Sequence, residues 1–169
     1  MKTNFLPSEK ILSRDTLPAF LRRVRKQNQT IVFTNGCFDL LHVGHLRYLN
    51  EAARLADYLV IGVNSDASVK MLKGEKRPIV PGIQRAEMIC GLGCVDAAVI
   101  FEEETPLELI RVVRPDFLVK GGDWTPDKIV GSDFVKSYDG KCMSIPFVEG
   151  SASTNFINTV IERYGRTDE

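Results

Sequence analysis

The segment YLVIGVNS, residues 58–65, is apolar at nearly every position instead of every second one. A strand with one wet face alternates. A strand without alternation is covered on both faces, as in parallel sheets with helices above and below. Four further runs read as short strands: IVFTNG from Ile31, AAVIF from Ala97, the FLVKGG of PDFLVKGGDW, and KCMSIPFV, with Pro146 near its end. Helical patterns separate them. Ser13 reads as the N-cap of a helix over 13–27, with Leu17, Phe20, Leu21 and Val24 on its apolar face. A second helix starts near Gly44, with Leu46, Leu49, Ala53 and Leu55 or Ala56 inward. SDASVKML follows, capped by Ser65 or Asp66, and IQRAEMICGLG ends at a glycine. TPLELIRVVR carries Pro106 in its first turn, and STNFINTVIERY is capped by Ser153 or Thr154. KGEKRPIVPG is a polar loop. This alternation predicts an α/β protein with a mostly parallel sheet in three layers. One domain over 1–169, with its core at 30–164, is expected from a chain of 169 residues.

Lys plus Arg and Asp plus Glu both number 22, so the formal net charge is zero. That excludes a general polyanion binder, and no nucleic-acid partner is expected. No apolar run is long enough to span a bilayer, and MKTNFLPSEKILSRD lacks the apolar core of a signal peptide. A cytoplasmic protein without a membrane partner is the expectation. Cys90 and Cys94 stand one helical turn apart, but no histidine or second cysteine pair is near them in sequence. Reduced thiols fit better than a metal site.

In a parallel sheet, ligands bind beyond the carboxyl ends of the strands. Those ends read TNGCFD, VNSD, FEEET, VKGGDW and FVEGSAST, and four of the five carry Gly, Asn, Asp or Ser. The first runs on into HVGH, which holds the chain's only histidines, His42 and His45. This stretch falls between a strand and the N-terminus of a helix, where free N–H groups and the helix dipole favour phosphate. Gly44 lets backbone pass close to a ligand. Two imidazoles one turn apart can reach one anion, and a phosphate would favour their protonated, donating forms. No G-x-G-x-x-G follows the first strand and no G-x-x-x-x-G-K-[ST] occurs, so dinucleotide-binding and P-loop readings are excluded.

GCFDLLHVGH resembles the His-x-Gly-His signature of the cytidylyltransferase-like nucleotidyltransferase superfamily. VNSDASVKMLKGEKRP, QRAEMI, VDAAVIFEEETP, RPDFLVKGGDW and GSASTNFI follow in the order and spacing of that family's heptose 1-phosphate adenylyltransferase branch. The resemblance implies a Rossmann-like fold and a reaction of ATP with D-glycero-β-D-manno-heptose 1-phosphate, giving ADP-heptose and pyrophosphate, as in lipopolysaccharide biosynthesis. It implies Mg2+ with the ATP, a homodimer, and a stand-alone enzyme served by a separate heptose kinase. A CTP-dependent glycerol 3-phosphate cytidylyltransferase and a non-catalytic nucleotide-binding module are the alternatives.

The resemblance assigns His42, His45, Arg85 and Lys120 to catalysis. It assigns Asn35, Gly36, Cys37, Phe38, Asp39, Gly44, Gly121, Gly122, Asp123, Ser153 and Thr154 to the nucleotide. Asn64, Asp66, Lys73 and Arg77 are expected toward the substrate, and the metal ligands are unknown. Asp39 could equally bond local N–H groups, and Arg47 and Trp124 could equally be a solvated charge and a packed loop residue. The last motif departs from the family's Ser-Thr-Thr: Ala152 and Ser153 stand at its first two positions.

Overall fold

The apolar runs lie side by side in one six-stranded sheet whose pairings are all parallel. The computed structural model describes residues 6–146 and 153–165. Its strands are β1 (Ile11–Leu12), β2 (Ile31–Gly36), β3 (Tyr58–Asn64), β4 (Ala97–Phe101), β5 (Phe117–Gly121) and β6 (Lys141–Ile145). Its α-helices are α1 (Leu17–Lys26), α2 (Val43–Ala53), α3 (Asp66–Lys73), α4 (Gly82–Cys90), α5 (Leu107–Val113), α6 (Ser132–Lys136) and α7 (Ser153–Tyr164). Ala152 lies outside the described residues.

The strand order is β1-β4-β3-β2-β5-β6. The chain builds outward from β2 through β3 to β4, then returns to the other side of β2 with β5 and β6. A crevice opens where the order reverses, between the carboxyl ends of β2 and β5.

Both faces of the sheet are apolar because neighbouring residues point to opposite sides. Ile31 and Phe33 of β2 and Val60 of β3 pack with Leu17, Leu21 and Val24 of α1 and Leu109, Ile110 and Val113 of α5. Val32 of β2 and Leu59, Ile61 and Val63 of β3 pack with Tyr48, Leu49 and Ala52 of α2 and Ala86, Ile89 and Cys90 of α4. Each large apolar side chain fully buried in this way contributes about 1.5–3 kcal/mol. Three carboxylates fix where strands begin. Asp116 Oδ2 accepts from Ile31 N at 2.7 Å, Asp96 Oδ2 from Leu59 N at 2.8 Å, and Asp57 Oδ2 from Thr30 N at 2.8 Å.

The structure corrects the sequence reading in four places. β1 is a sixth strand; two residues are too few to show a period. The first helix starts at Leu17, not Ser13. Ser13 and Thr16 instead close a turn, with Ser13 N donating to Thr16 Oγ1 at 2.9 Å. Pro18 suits a first helical turn, where its missing N–H leaves no bond unmade. In helix α2 only Leu46 departs from the expected inward face: it is exposed, while Leu49 is buried and Ala53, Leu55 and Ala56 pack against the core. Tyr48 and Ala52 join that face, the Tyr48 hydroxyl bonding Thr34 Oγ1 and reaching the Val119 carbonyl at 3.4 Å. Finally, GSDFVKSYDG, expected as neither helix nor strand, holds the short α6. Among the described residues, no helix is long and apolar enough to cross a membrane.

Candidate active site

A cleft of about 830 Å³ occupies the crevice at the strand carboxyl ends. That volume lies in the range of ligand sites, about 300–1,000 Å³. Strand β2 delivers Asn35 and Gly36, β5 delivers Lys120 and Gly121, and β3 delivers Asn64. Cys37, Phe38 and Asp39 follow β2 into the cleft, and His42 and His45 stand on the first turn of α2. Lys73 closes α3, Arg77 comes from the polar loop, and Ser153 and Thr154 open α7.

The β2–α2 turn is tightly built. Phe38 takes a left-handed backbone, φ 48°, uncommon for a non-glycine residue. A Cβ on Gly36 would stand 3.1 Å from two carbons of the Phe38 ring, so only glycine lets the ring fold back there without displacing it. Phe38 in turn meets the His45 ring edge-on, at 5.5 Å between centroids.

His42 is the N-cap of α2, with extended backbone at φ −143° and ψ 171°. Its ring lies 3.9 Å from that of His45, tilted by 30°. Both Nδ1 atoms are buried and without a hydrogen-bond partner among the described residues. Burial, then the neighbouring His42, brings the His45 imidazole down to about 4. Burial lowers His42 as well. The pair is neutral at pH 7 and lines the cleft. An entering phosphate would supply acceptors and draw protons onto both rings.

The cations are less equivalent than their sequence positions suggest. Lys120 Nζ donates to Asn35 O and Asn35 Oδ1, both at 3.3 Å. Burial, with Lys73 acting in the same direction, holds its ammonium below the usual lysine range. Arg77 lines the cleft, yet its Nε pairs with Asp39. Asp39 also accepts from Ile79 N at 2.8 Å and Val80 N at 2.9 Å. Burial pushes the Asp39 carboxyl up, but the two N–H groups and Arg77 outweigh it and hold the acid below 3.8. Asp39 thus fastens the polar loop to the turn before α2; its bonds are neither local nor aimed at a phosphate.

Arg85 and Asp66 stand outside the cleft lining. Arg85 is fully buried behind the cleft and lines no part of it. Its Nε donates to Val80 O at 2.9 Å, Nη1 to Cys37 O at 2.5 Å, and Nη2 to Asp66 Oδ1 at 2.7 Å. Each of its three nitrogens thus bonds a group within the protein. Asp66 begins α3, faces Arg85 and lies outside the cleft lining. Gly44, Gly122 and Asp123 also lie outside it; Gly122, at φ 109°, turns the chain after β5. Asn64 lines the cleft, but its Nδ2 donates to Ser68 Oγ at 2.8 Å. The Ser153 hydroxyl donates to Leu40 O at 3.1 Å.

Sequence reasoning missed Tyr48, Leu72, Glu104, Thr105, Pro106, Val130 and Asn155 as lining residues. Glu104 and Thr105 were visible in the strand end FEEET, but acidic residues there gave no ligand signal. Trp124 lines the cleft and is about half exposed, so it does more than pack its loop. Among the described residues, no group of three or more His, Cys, Asp or Glu side chains could hold a metal. Cys90 is buried in the core, where desolvation pushes its thiol up to about 11.

A doubly wound parallel sheet with paired imidazoles and lysines at its switch point defines an α/β protein built to receive an anionic ligand. The chain belongs to the cytidylyltransferase-like family, whose model matches residues 33–162. It is 52% identical over 155 residues to a protein named Bifunctional protein HldE from Syntrophotalea carbinolica. That match covers 92% of this chain and 32% of the relative, so the chain spans about a third of the curated relative's length. Among solved structures, a lipopolysaccharide core biosynthesis protein from Thermoplasma volcanium is similar, with a TM-score of 0.58 and 27% identity. This likeness covers 73% of this chain and 99% of that one. A pantoate-beta-alanine ligase from Francisella tularensis, at 15% identity and TM-score 0.58, covers 90% of this chain and 77% of its own, and shares the fold.

Proposed function

We propose that this chain is an adenylyltransferase that joins ATP and D-glycero-β-D-manno-heptose 1-phosphate into ADP-heptose and pyrophosphate. The observation that carries the reading is the His42–His45 pair. Two neutral imidazoles, tilted by 30° with 3.9 Å between centroids, share a cleft with Lys73 and Lys120. The identity to HldE and the likeness to a lipopolysaccharide core biosynthesis protein support the heptose substrate.

The sugar phosphate oxygen attacks the α-phosphorus in line, and pyrophosphate leaves. No covalent enzyme intermediate is needed, so catalysis is positioning and charge stabilisation. His42 and His45, whose protonated forms the charge of the incoming phosphates favours, take protons from solvent and donate to the transferring phosphoryl oxygens. Lys120, held by Asn35, faces the acceptor phosphate, and Lys73 adds a second cation. The N-terminal turn of α7, with Thr154, receives the far end of the triphosphate. Asp39 and Arg85 act at one remove, by holding the β2–α2 turn in shape.

Mg2+ fits as a companion of ATP more than as a resident ion. It binds mainly through phosphates and water with one or two carboxylates, and Glu104 is the acid in the cleft not engaged by Arg77. When bound, it supplies neutralisation of charge on the triphosphate. The reading includes a cytoplasmic homodimer and a separate heptose kinase that provides the sugar phosphate.

The test is pyrophosphate release with ATP and CTP, each crossed against heptose 1-phosphate and glycerol 3-phosphate. Turnover with ATP and the heptose alone is expected. Turnover with CTP and glycerol 3-phosphate would replace the substrates and keep the chemistry. Silence in all four, from folded protein that binds ATP, would refute the transferase reading.

A further inference from the structure

A histidine in a phosphoryl-transfer site is normally aimed by a hydrogen bond on its second ring nitrogen. His42 lacks one: its Nδ1 is buried and has no partner among the described residues. Something else must fix the ring. Two rings touch it. His45 lies at 3.9 Å and is itself without an Nδ1 partner. Phe156, from the first turns of α7, lies parallel to His42, with 5.8 Å between centroids and 10° between planes. This is stacking geometry within the usual separation of aromatic pairs, about 4.5–7 Å.

Among the described residues none of α7 is buried, and Val160, Ile161 and Tyr164 are exposed. Its first turn is fastened to the segment just before α2 by the Ser153–Leu40 bond and by the Phe156 ring on His42. Phe156 is half exposed, so the contact is local and not part of either core cluster.

We infer that Phe156 is the positioning residue of His42: α7 completes the site by stacking this ring on the imidazole and setting its plane. The inference rests on the transferase reading for its kinetic consequence, but the contact itself can be read without turnover. Small errors of placement at a reacting phosphorus are expensive in rate, up to about 10²-fold for an ångström.

The test combines NMR and kinetics. The chain has two histidines, so its imidazole C–H spectrum holds two sets of signals, assigned with His42→Gln and His45→Gln. In Phe156→Leu the ring-current shift on the His42 protons is lost, while those of His45 move less. The same variant should lower kcat about tenfold or more, with the KM for ATP within about threefold. Phe156→Tyr, which keeps the ring, should restore both the shift and the rate. An unmoved His42 signal in Phe156→Leu overturns the inference, and so does an undiminished kcat. Wild-type protein without pyrophosphate release would overturn the transferase reading instead; the His42 shift would still decide the contact.

Discussion

Replacing Arg85 by alanine separates two accounts of this residue. A phosphate ligand would be lost with little effect on folding and a large effect on ATP affinity. A buried clasp would be lost the other way round. The side chain is fully buried and bonds Val80 O, Cys37 O and Asp66 Oδ1. Each hydrogen bond from a charged donor to a buried carbonyl is worth about 1.5–3 kcal/mol. Asp66 is about half exposed, so that ion pair adds only about 0–1 kcal/mol. Water entering the vacated space recovers part of the loss, leaving a destabilisation of about 4 kcal/mol. With a urea slope of about 2 kcal/mol/M, the unfolding midpoint falls by about 2 M. Urea denaturation followed by circular dichroism measures this, with the KM for ATP of the folded variant measured in parallel. Arg85→Lys keeps one donor group and should fall in between. A midpoint shift under about 0.5 M, together with a KM raised about tenfold, would refute the clasp and return Arg85 to the ligand.

Three further outcomes follow from the site. His42→Ala and His45→Ala should each lower kcat about a hundredfold or more with little change in thermal stability, and near-normal turnover in both would remove the pair from the chemistry. An NMR titration of the ligand-free protein should find His45 with its midpoint near about 4. Because that value lies below the unfolded 6.5, the unfolded chain takes the proton first. Stability should therefore decline as pH falls from about 6.5 to 4, and ATP should raise the His45 midpoint. Asp39→Asn should weaken the hold on the polar loop and cost about 1–3 kcal/mol at pH 7. Asp39 has a lowered folded value, so its contribution is present above 3.8 and is lost as pH falls through the folded value; acid unfolding of wild type and variant should converge there.

The architecture was legible because burial on both faces leaves its mark on each strand. Ile31 to Phe33 and Leu59 to Ile61 are apolar in succession, as strands of a parallel sheet covered on both faces require. The cleft was legible from topology plus the two histidines. The partners of the charged side chains were not. Asp39 with Arg77 and Arg85 with Cys37 are contacts across 38 and 48 residues. Nothing in their sequence spacing separates a cation turned toward a ligand from one turned toward a carbonyl. The inward place of Tyr48 was hidden for a related reason. Its hydroxyl bonds Thr34, which apolar periodicity does not record.

The two-residue strand β1 has a practical meaning for anything joined to this chain. It runs parallel to β4, pairing Ile11 with Ala98 and Leu12 with Val99. Lys10 ties the same border to the Val95 carbonyl at 2.7 Å. The chain thus enters the sheet from the end opposite the cleft. A tag, a surface tether or a fused partner placed ahead of this strand would leave the strand carboxyl ends facing outward. Deleting the segment would instead uncover the rim of β4 and invite strand-to-strand association between molecules.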